Sequence, residues 1–387
     1  MDLHLPQRSK PDNHSFNTRP AALTAWFDDL PLINTGKSLE LLGDALQQIN
    51  TLKLPPDNRQ QALERFAAPA RCVTDALKKN FLDKPLPLKG NRLVSATQTL
   101  ELFNTLATGY RILAEDLRGN DRDKPQLVIA LHRAMRYLSE ILLTSYRIYI
   151  QFPEGLWKTI NALYALADDH NITGQVVTDI TQQTPVSSTI ETVYKQILLL
   201  SLACPYRLRQ DEVCFAYKAL LEWADHCQLH RLNEEKTKGL FSVNLQSDTP
   251  PSYRDPGDNN IADPHTRILD TNSMASRMHE VLATGQDSTN QQAGTGDTEI
   301  MRRLMLAWGV MPKRQFARHP QDAPVKLVIG LNAIHQLLPG TASESLETDE
   351  NIRDQDYLQD PTFETATTFN TTAVGGNSTQ QAVAKDR

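Results

Sequence analysis

Residues 91–120 read NRLVSATQTLELFNTLATGYRILAEDLRGN, and this stretch decides the fold. Leu93, Ala96, Leu100, Phe103, Ala107, Tyr110 and Leu117 recur mostly at steps of three and four. That spacing puts them on one face of an α-helix over 91–118, which Gly119-Asn120-Asp121 ends. The next segment, 125–150, repeats the pattern with Leu127, Leu131, Ala134, Leu138, Ile141, Leu142 and Tyr149 and stops at Pro153. Upstream, Pro55-Pro56-Asp57-Asn58 is a helix start. Downstream, further helices are predicted at 155–169, 187–204 and 209–229, the last with Asp211 and Glu212 in its first turn, where the helix dipole favours acids. Antiparallel helices of this length bury a core without any β-sheet. The expected architecture over 19–234 is therefore a mainly α multi-helix bundle or array. No fixed period relates the helices, which argues against a repeat solenoid.

The pattern changes on either side of this body. Residues 1–18 are polar and rich in Pro, Asn, Ser and His, and read as a disordered lead-in. Gly239-Leu-Phe-Ser-Val-Asn-Leu245 alternates apolar and polar residues as a half-buried strand does. With a short helix at 272–283 it makes 235–283 a mixed strand and helix extension. Residues 284–296 are composed as a flexible linker. Residues 297–339 hold a helix at 297–308, with Ile300, Leu304 and Ala307 on one side, and then an apolar run. Residues 340–387 are acidic and Thr-rich and read as a disordered tail.

The 387 residues allow two or three domains, and 40% hydrophobic with 22% charged residues is an ordinary globular composition. A net charge of -6 argues against a dedicated nucleic-acid polymer binder. No apolar run reaches the length of a bilayer span, and Met1-Asp-Leu-His-Leu-Pro has no basic region followed by an apolar core, so a cytoplasmic location is expected. Cys72, Cys204, Cys214 and Cys227 show no C-x-x-C pairing and read as reduced thiols. Arg133, Arg136, Arg147, Arg207 and Arg209 interrupt the apolar helices and read as cations snorkelling and ion-pairing at helix surfaces. Trp26, Trp157, Trp223 and Trp308 fall at apolar phases and read as core or inter-helix anchors.

Arg314-Gln-Phe-Ala-Arg318 precedes the apolar run Val325-Lys-Leu-Val-Ile-Gly-Leu331. Two arginines four apart ahead of a strand form a cationic clamp. The planar guanidinium fork donates to phosphate oxygens or to the O6/N7 edge of guanine, and its face stacks on a base. This arrangement resembles the opening of the PilZ domain, a bacterial receptor module for cyclic di-GMP, whose signature is R-x-x-x-R followed by the first strand of a small barrel. Further stretches are similar to a group of bacterial proteins with a long helical N-terminal region and a C-terminal PilZ domain. They are Leu23-Thr-Ala-Trp26-Phe-Asp-Asp-Leu30-Pro31-Leu-Ile-Asn34, Cys204-Pro-Tyr-Arg-Leu-Arg209, the 239–251 stretch, and Arg267-Ile-Leu-Asp270, followed in order by the pentad and Asn332-Ala-Ile-His335. The resemblance covers residues 20–338. It implies cyclic di-GMP as ligand, bound by Arg314 and Arg318. The family's second motif, D/N-x-S-x-x-G, has no counterpart, since Asn377-Ser378 has the wrong spacing, so the β-region reads as an incomplete barrel.

Other constellations are weaker. Asn34-Thr-Gly36-Lys37-Ser38 mimics the end of a P-loop, but the earlier glycine is replaced by Pro31 and no strand precedes it. A helix start with Thr35 or Ser38 near the cap is expected instead. His226 and His230, four apart near the end of the expected helix, with Cys227 and Cys214 nearby, are an incomplete ligand set, so no metal site is assigned. No serine elbow, catalytic Cys–His context, paired-acid motif or dinucleotide fingerprint is present, and no catalytic residue or cofactor is assigned. The expected function is that of a non-enzymatic signalling protein, binding cyclic di-GMP and engaging a protein partner through its helical region. The alternative is a helical adaptor that binds no nucleotide. Limited proteolysis is expected to cut first after residue 339 and within 284–296, because those segments lack the apolar periodicity needed to offset ordering entropy. Early cleavage inside 91–150, or a tail that stays protected, contradicts this architecture.

Overall fold

The computed structural model describes residues 5–12, 15–181, 185–232, 241–254, 263–284 and 295–309, and beyond them residues 326–327, 335 and 369–370. The chain forms two compact units, Met1–Pro312 and Lys313–Arg387. The first unit opens with helices α1 (Pro20–Asp28), α2 (Thr35–Thr51), α3 (Pro56–Phe81), α4 (Asn91–Leu117), α5 (Lys124–Arg147) and α6 (Leu156–Asp169). A short hairpin follows, β1 (Val177–Asp179) and β2 (Val186–Ser188), then α7 (Ile190–Leu202) and α8 (Gln210–Trp223). Proline stands in the first turn of α1, α3 and α5, where its missing N–H costs nothing. Asn34 caps α2, its Oδ1 accepting from the Lys37 N–H at 3.1 Å. The P-loop mimic is thus a helix start, as expected, although the capping oxygen is that of Asn34. Ser38 instead donates to the Pro31 carbonyl at 2.7 Å.

The mostly helical body matches the sequence reading, and its centre is α5. Helices α4, α6, α7 and α8 surround it, and 18 of its 24 residues are buried. A helix enclosed on all sides is normally apolar throughout, yet His132, Arg133 and Arg136 lie inside. This corrects the expectation that Arg133 and Arg136 snorkel at a surface: α5 offers them none. Arg136 is held by the β1–β2 hairpin and α7. Its Nε lies 2.6 Å from Asp179 Oδ2, without the N–H aimed along that line, so the attraction is Coulombic. Its two NH groups donate to Gln196 Oε1 at 2.6 Å and Ser188 Oγ at 3.2 Å. Arg133 pairs with Glu64 of α3 at 3.1 Å and donates to the Thr178 carbonyl at 2.7 Å. Tyr110 of α4 also donates to Glu64, at 2.8 Å. The hairpin, a departure from the all-helical body expected, exists to meet these charges: Asp179 and Ser188 project from it onto α5, and both are buried.

Two further departures concern the ends of the helical body. Residues 5–12 and 15–18 do not form an unstructured lead-in. The Ser9 N–H donates to the Thr51 carbonyl at 2.8 Å, the Lys53 N–H donates to the Ser9 carbonyl at 2.7 Å, and Arg8 pairs with Asp116 at 2.7 Å. Phe16 packs edge-on against Trp26 with ring centroids 5.3 Å apart. The helix expected over 209–229 stops at Trp223. A 3-10 turn spans Ala224–His226 and a strand, β3 (Gln228–Arg231), follows. β3 belongs to an antiparallel sheet with β4 (Phe241–Asn244), β5 (Ser252–Tyr253) and β6 (Thr266–Asp270), in the order β3-β6-β4-β5. Leu269 on β6 pairs with Leu229 on one side and Phe241 on the other.

Polar contacts fasten this sheet region to α6. The N–H groups of Gly155 and Lys158 donate to the Asp248 carboxylate at 2.7 and 2.9 Å, so α6 is capped by a residue some ninety positions away. Asn161 donates to the carbonyls of Asn244 and Ser247 at 3.3 and 3.0 Å. Asp168 receives both Arg231 and Arg267, at 2.9 and 2.6 Å. Helices α9 (Asn272–Thr284) and α10 (Thr295–Gly309) complete the unit.

The buried charges make acid the weak point of the fold. Burial, opposed by Asp179 and reinforced by Arg136 and Arg133, pushes His132 down to about 3. Burial pushes the Asp179 carboxyl up, but Arg136, His132 and two hydrogen bonds from Thr181 outweigh it and hold it below its ordinary value. As pH falls below the ordinary histidine value of about 6.5, the unfolded chain takes up a proton at residue 132 that the native state refuses. Stability then falls by up to about 1.4 kcal/mol per pH unit. The Asp179 contribution is present above the ordinary carboxylate value and is lost only at lower pH. In urea denaturation at stepped pH, His132→Gln, which keeps an acceptor for Arg133, is expected to flatten the loss between about pH 6 and pH 4 by roughly 1 kcal/mol per unit. Parallel slopes for the two proteins would show that His132 titrates normally.

Candidate functional site

Helix α10, which precedes the arginine pentad in the sequence, is packed into the first unit. Ile300, Leu304 and Trp308 are buried, and the Trp308 ring is fully enclosed. Its Nε1–H donates to the Leu199 carbonyl of α7 at 2.8 Å. The Trp308 carbonyl in turn accepts from the Thr271 hydroxyl at the end of β6. Arg303 reaches α8, pairing with Glu212 at 3.2 Å and donating to the Arg207 carbonyl at 3.0 Å. Glu212 also accepts from the Arg209 N–H at 2.8 Å, so one carboxylate closes the first turn of α8 and holds α10. The last residue of α10, Gly309, lies against α9 so closely that a Cβ there would stand 2.5 Å from the Cβ of Ala275. The anchoring role read for Trp308 holds, as it does for the buried Trp157. The roles of Arg303, Thr271 and Gly309 were missed. Gly309 carries a weak signal, since a glycine ending a helix is normally taken for a C-cap.

Arg314 and Arg318 lie outside the described residues, as do Asn377 and Ser378 and nearly all of the 284–296 segment. The apolar run after the pentad does contain a strand, β7 (Lys326–Leu327). It pairs antiparallel with β8 (Phe369–Asn370), in register Lys326 to Asn370 and Leu327 to Phe369. β8 falls inside the 340–387 stretch.

The histidine and cysteine cluster does not form a helical i, i+4 pair. His226 ends the 3-10 turn, with its ring 5.9 Å from that of Trp223, whereas His230 is on β3. Cys227 is buried, its Sγ 3.4 Å from the Met274 sulfur, and burial pushes its thiol up to about 12. Cys214 is half-buried on α8. Among the described residues no group of three or more His, Cys, Asp and Glu could hold a metal ion, and no helix is long and apolar enough to cross a membrane.

A helical domain continuing into a β-region that carries R-x-x-x-R before a paired strand defines a protein of the PilZ class. Residues 21–235 match the N-terminal domain of the cyclic-di-GMP receptor FimW, and residues 240–386 match the middle PilZ domain of that receptor. The chain belongs to the FimW family. It is 28% identical over 353 residues to the cyclic-di-GMP receptor FimW of Pseudomonas aeruginosa, an alignment covering 88% of this chain and 56% of the relative. The chain thus spans a little over half the length of the curated relative it matches. No solved structure matches. The PilZ match begins just before β4, leaving β3 of the same sheet in the N-terminal match, and takes in nearly all of the 235–283 extension and the 340–387 stretch, so it is wider than the 297–339 segment assigned to it from sequence.

The close α9–α10 crossing yields a stability test. Gly309→Ala is expected to destabilise the protein by about 1–3 kcal/mol, because the new methyl group meets a Cβ that cannot rotate away. Ala275→Gly should cost about 1 kcal/mol alone, as glycine does inside a helix. The double variant should be more stable than the sum of the two losses by at least about 0.5 kcal/mol. Strict additivity in chemical denaturation would show that the two residues do not meet.

Proposed function

We propose that this chain is a cyclic di-GMP receptor and signalling effector, with Arg314 and Arg318 as ligand contacts and the helical domain as the partner-binding part. The observation that carries the reading is the R-x-x-x-R pentad lying within the residues matched to the PilZ domain of a cyclic-di-GMP receptor. Two local features support it. β7 begins shortly after the pentad, where the motif calls for a strand, and α10 ahead of it is fixed by Trp308 and Arg303. The chemistry suits the ligand. A cyclic dinucleotide carries two phosphodiesters and two guanine edges, and an arginine fork donates to either in a charge-assisted, two-pronged geometry. No nucleophile, general base or metal is needed for binding, and the reading assigns none. Signalling to a partner then requires that the ligand make contacts that differ between two states of the chain, because only such contacts shift an equilibrium.

Isothermal titration calorimetry with cyclic di-GMP tests the site. The chain should bind, and Arg314→Ala and Arg318→Ala should each weaken binding by about tenfold to a hundredfold, the range of a lost charge-assisted hydrogen bond of about 1.5–3 kcal/mol. Binding that survives loss of both arginines removes them from the site. No binding by the unmodified chain leaves the helical adaptor reading.

A further inference from the structure

The connection between α3 and α4 closes one end of the helical bundle and differs in charge from the rest of the chain. Residues 79–94 carry four cations, Lys79, Lys84, Lys89 and Arg92, against one carboxylate, Asp83, in a protein whose net charge is -6. All four cations are exposed. Among the described residues none of them has a carboxylate within ion-pairing distance, whereas the neighbouring Lys78 takes Glu140 at 3.0 Å. Interspersed with them are apolar side chains that the core does not use: Leu86, Leu93 and Val94 are 36%, 45% and 51% exposed. The segment is nevertheless firmly built. Phe81, Leu88 and Ala96 pack with Ile148 in a small core of their own. Asn80 Nδ2 donates to Ser95 Oγ at 3.3 Å, and the Asp83 N–H donates to the Gln210 side chain at 2.6 Å. Tyr149, next to Ile148, is exposed at the same end, its hydroxyl donating to the Leu208 carbonyl at 2.5 Å.

We propose that this end of the bundle docks on an anionic lipid surface as a peripheral contact. A water-facing surface normally mixes both signs of charge and scatters its leucines singly. Here cations without anionic partners alternate with exposed aliphatic side chains, which is the composition of an interfacial contact. Lipid phosphates supply the anions that the segment does not, each Lys or Arg at such a surface strengthening binding about fivefold. The leucines enter the acyl boundary, while the long lysine stems keep their ammonium groups at headgroup level. The firm support matters, because a connection already ordered loses little further entropy on docking. An acidic protein would match the cations but gives Leu86, Leu93 and Val94 nothing to enter. The surface belongs to the helical domain and rests on none of the contacts proposed for cyclic di-GMP.

Vesicle sedimentation of the whole chain tests this, with pure phosphatidylcholine and with phosphatidylglycerol added to about 30%, at about 0.1 M salt. The anionic vesicles are expected to bind half of the chain at on the order of 0.1–1 mM lipid, the range that four cations and a small apolar insertion support. Pure phosphatidylcholine should bind at least about tenfold more weakly. Lys84→Gln combined with Lys89→Gln should weaken binding about 25-fold. Leu93→Ser combined with Val94→Ser, at exposed positions, should weaken it about tenfold. Leu32→Ser combined with Ile33→Ser, an exposed apolar pair in the α1–α2 turn beside the exposed Asp28 and Asp29, should leave it unchanged. A Leu93→Trp variant gives a second readout: brominated phosphatidylcholine in the anionic vesicles should quench the added fluorescence, since bromine on the acyl chains quenches only a ring that reaches them. The proposal is overturned by any of four results: no binding up to about 5 mM lipid; equal binding to both vesicle types; binding left unchanged by Lys84→Gln with Lys89→Gln; or Leu93→Trp fluorescence that stays unquenched on bound vesicles, which would assign the patch to charge contact alone, as an acidic protein makes.

Discussion

The fold depends on charges buried along one helix. α5 is surrounded by four others, yet Arg133 and Arg136 have to be satisfied inside it. Breaking a buried pair by removing one partner costs about 3–5 kcal/mol, since it strands an uncompensated charge. That constraint dictates the surroundings. Glu64 of α3 must face Arg133, Tyr110 of α4 must share Glu64, and the β1–β2 hairpin must fold over α5 to deliver Asp179, Ser188 and the Thr178 carbonyl. The apolar core makes the bundle compact, while these polar contacts select one arrangement of its helices.

The helices were legible because their apolar residues keep a 3.6-residue period and their ends carry Pro, Gly or Asn at the positions such ends require. What escaped was structure made by distant partners. The hairpin is two strands of three residues each, too short for alternation to register, and only its contact with α5 explains it. The N-terminal lead-in has the composition of a loose segment, but Arg8 finds Asp116 and Ser9 finds the chain around Thr51. The end of α8 was overrun because Leu229 continues the apolar phase, although His230 and its neighbours pair with β6.

The proposed site was legible in a different sense. The pentad could be read because arginine chemistry at that spacing ahead of an apolar run is a recognisable combination, and family membership gives it context. The segment ahead of it could be read only as another amphipathic helix. That α10 ends in a buried tryptophan bonded to α7, with a glycine pressed against α9, is information about surfaces meeting, which no linear pattern carries.

The cap on α6 has a consequence for the modular view of this family. Sequence comparison draws a seam between residues 235 and 240, yet Asp248, on the far side, supplies the anion for the first turn of α6 on the near side. Asp168 and Glu212 reach back across the same seam to Arg267 and Arg303. The two regions are therefore modules only so far. A transplanted partner from a relative would leave α6 without its anion and two carboxylates without their cations, unless the complementary residues travelled with it. The seam marks where two domain matches meet, while the contacts pass through it uninterrupted.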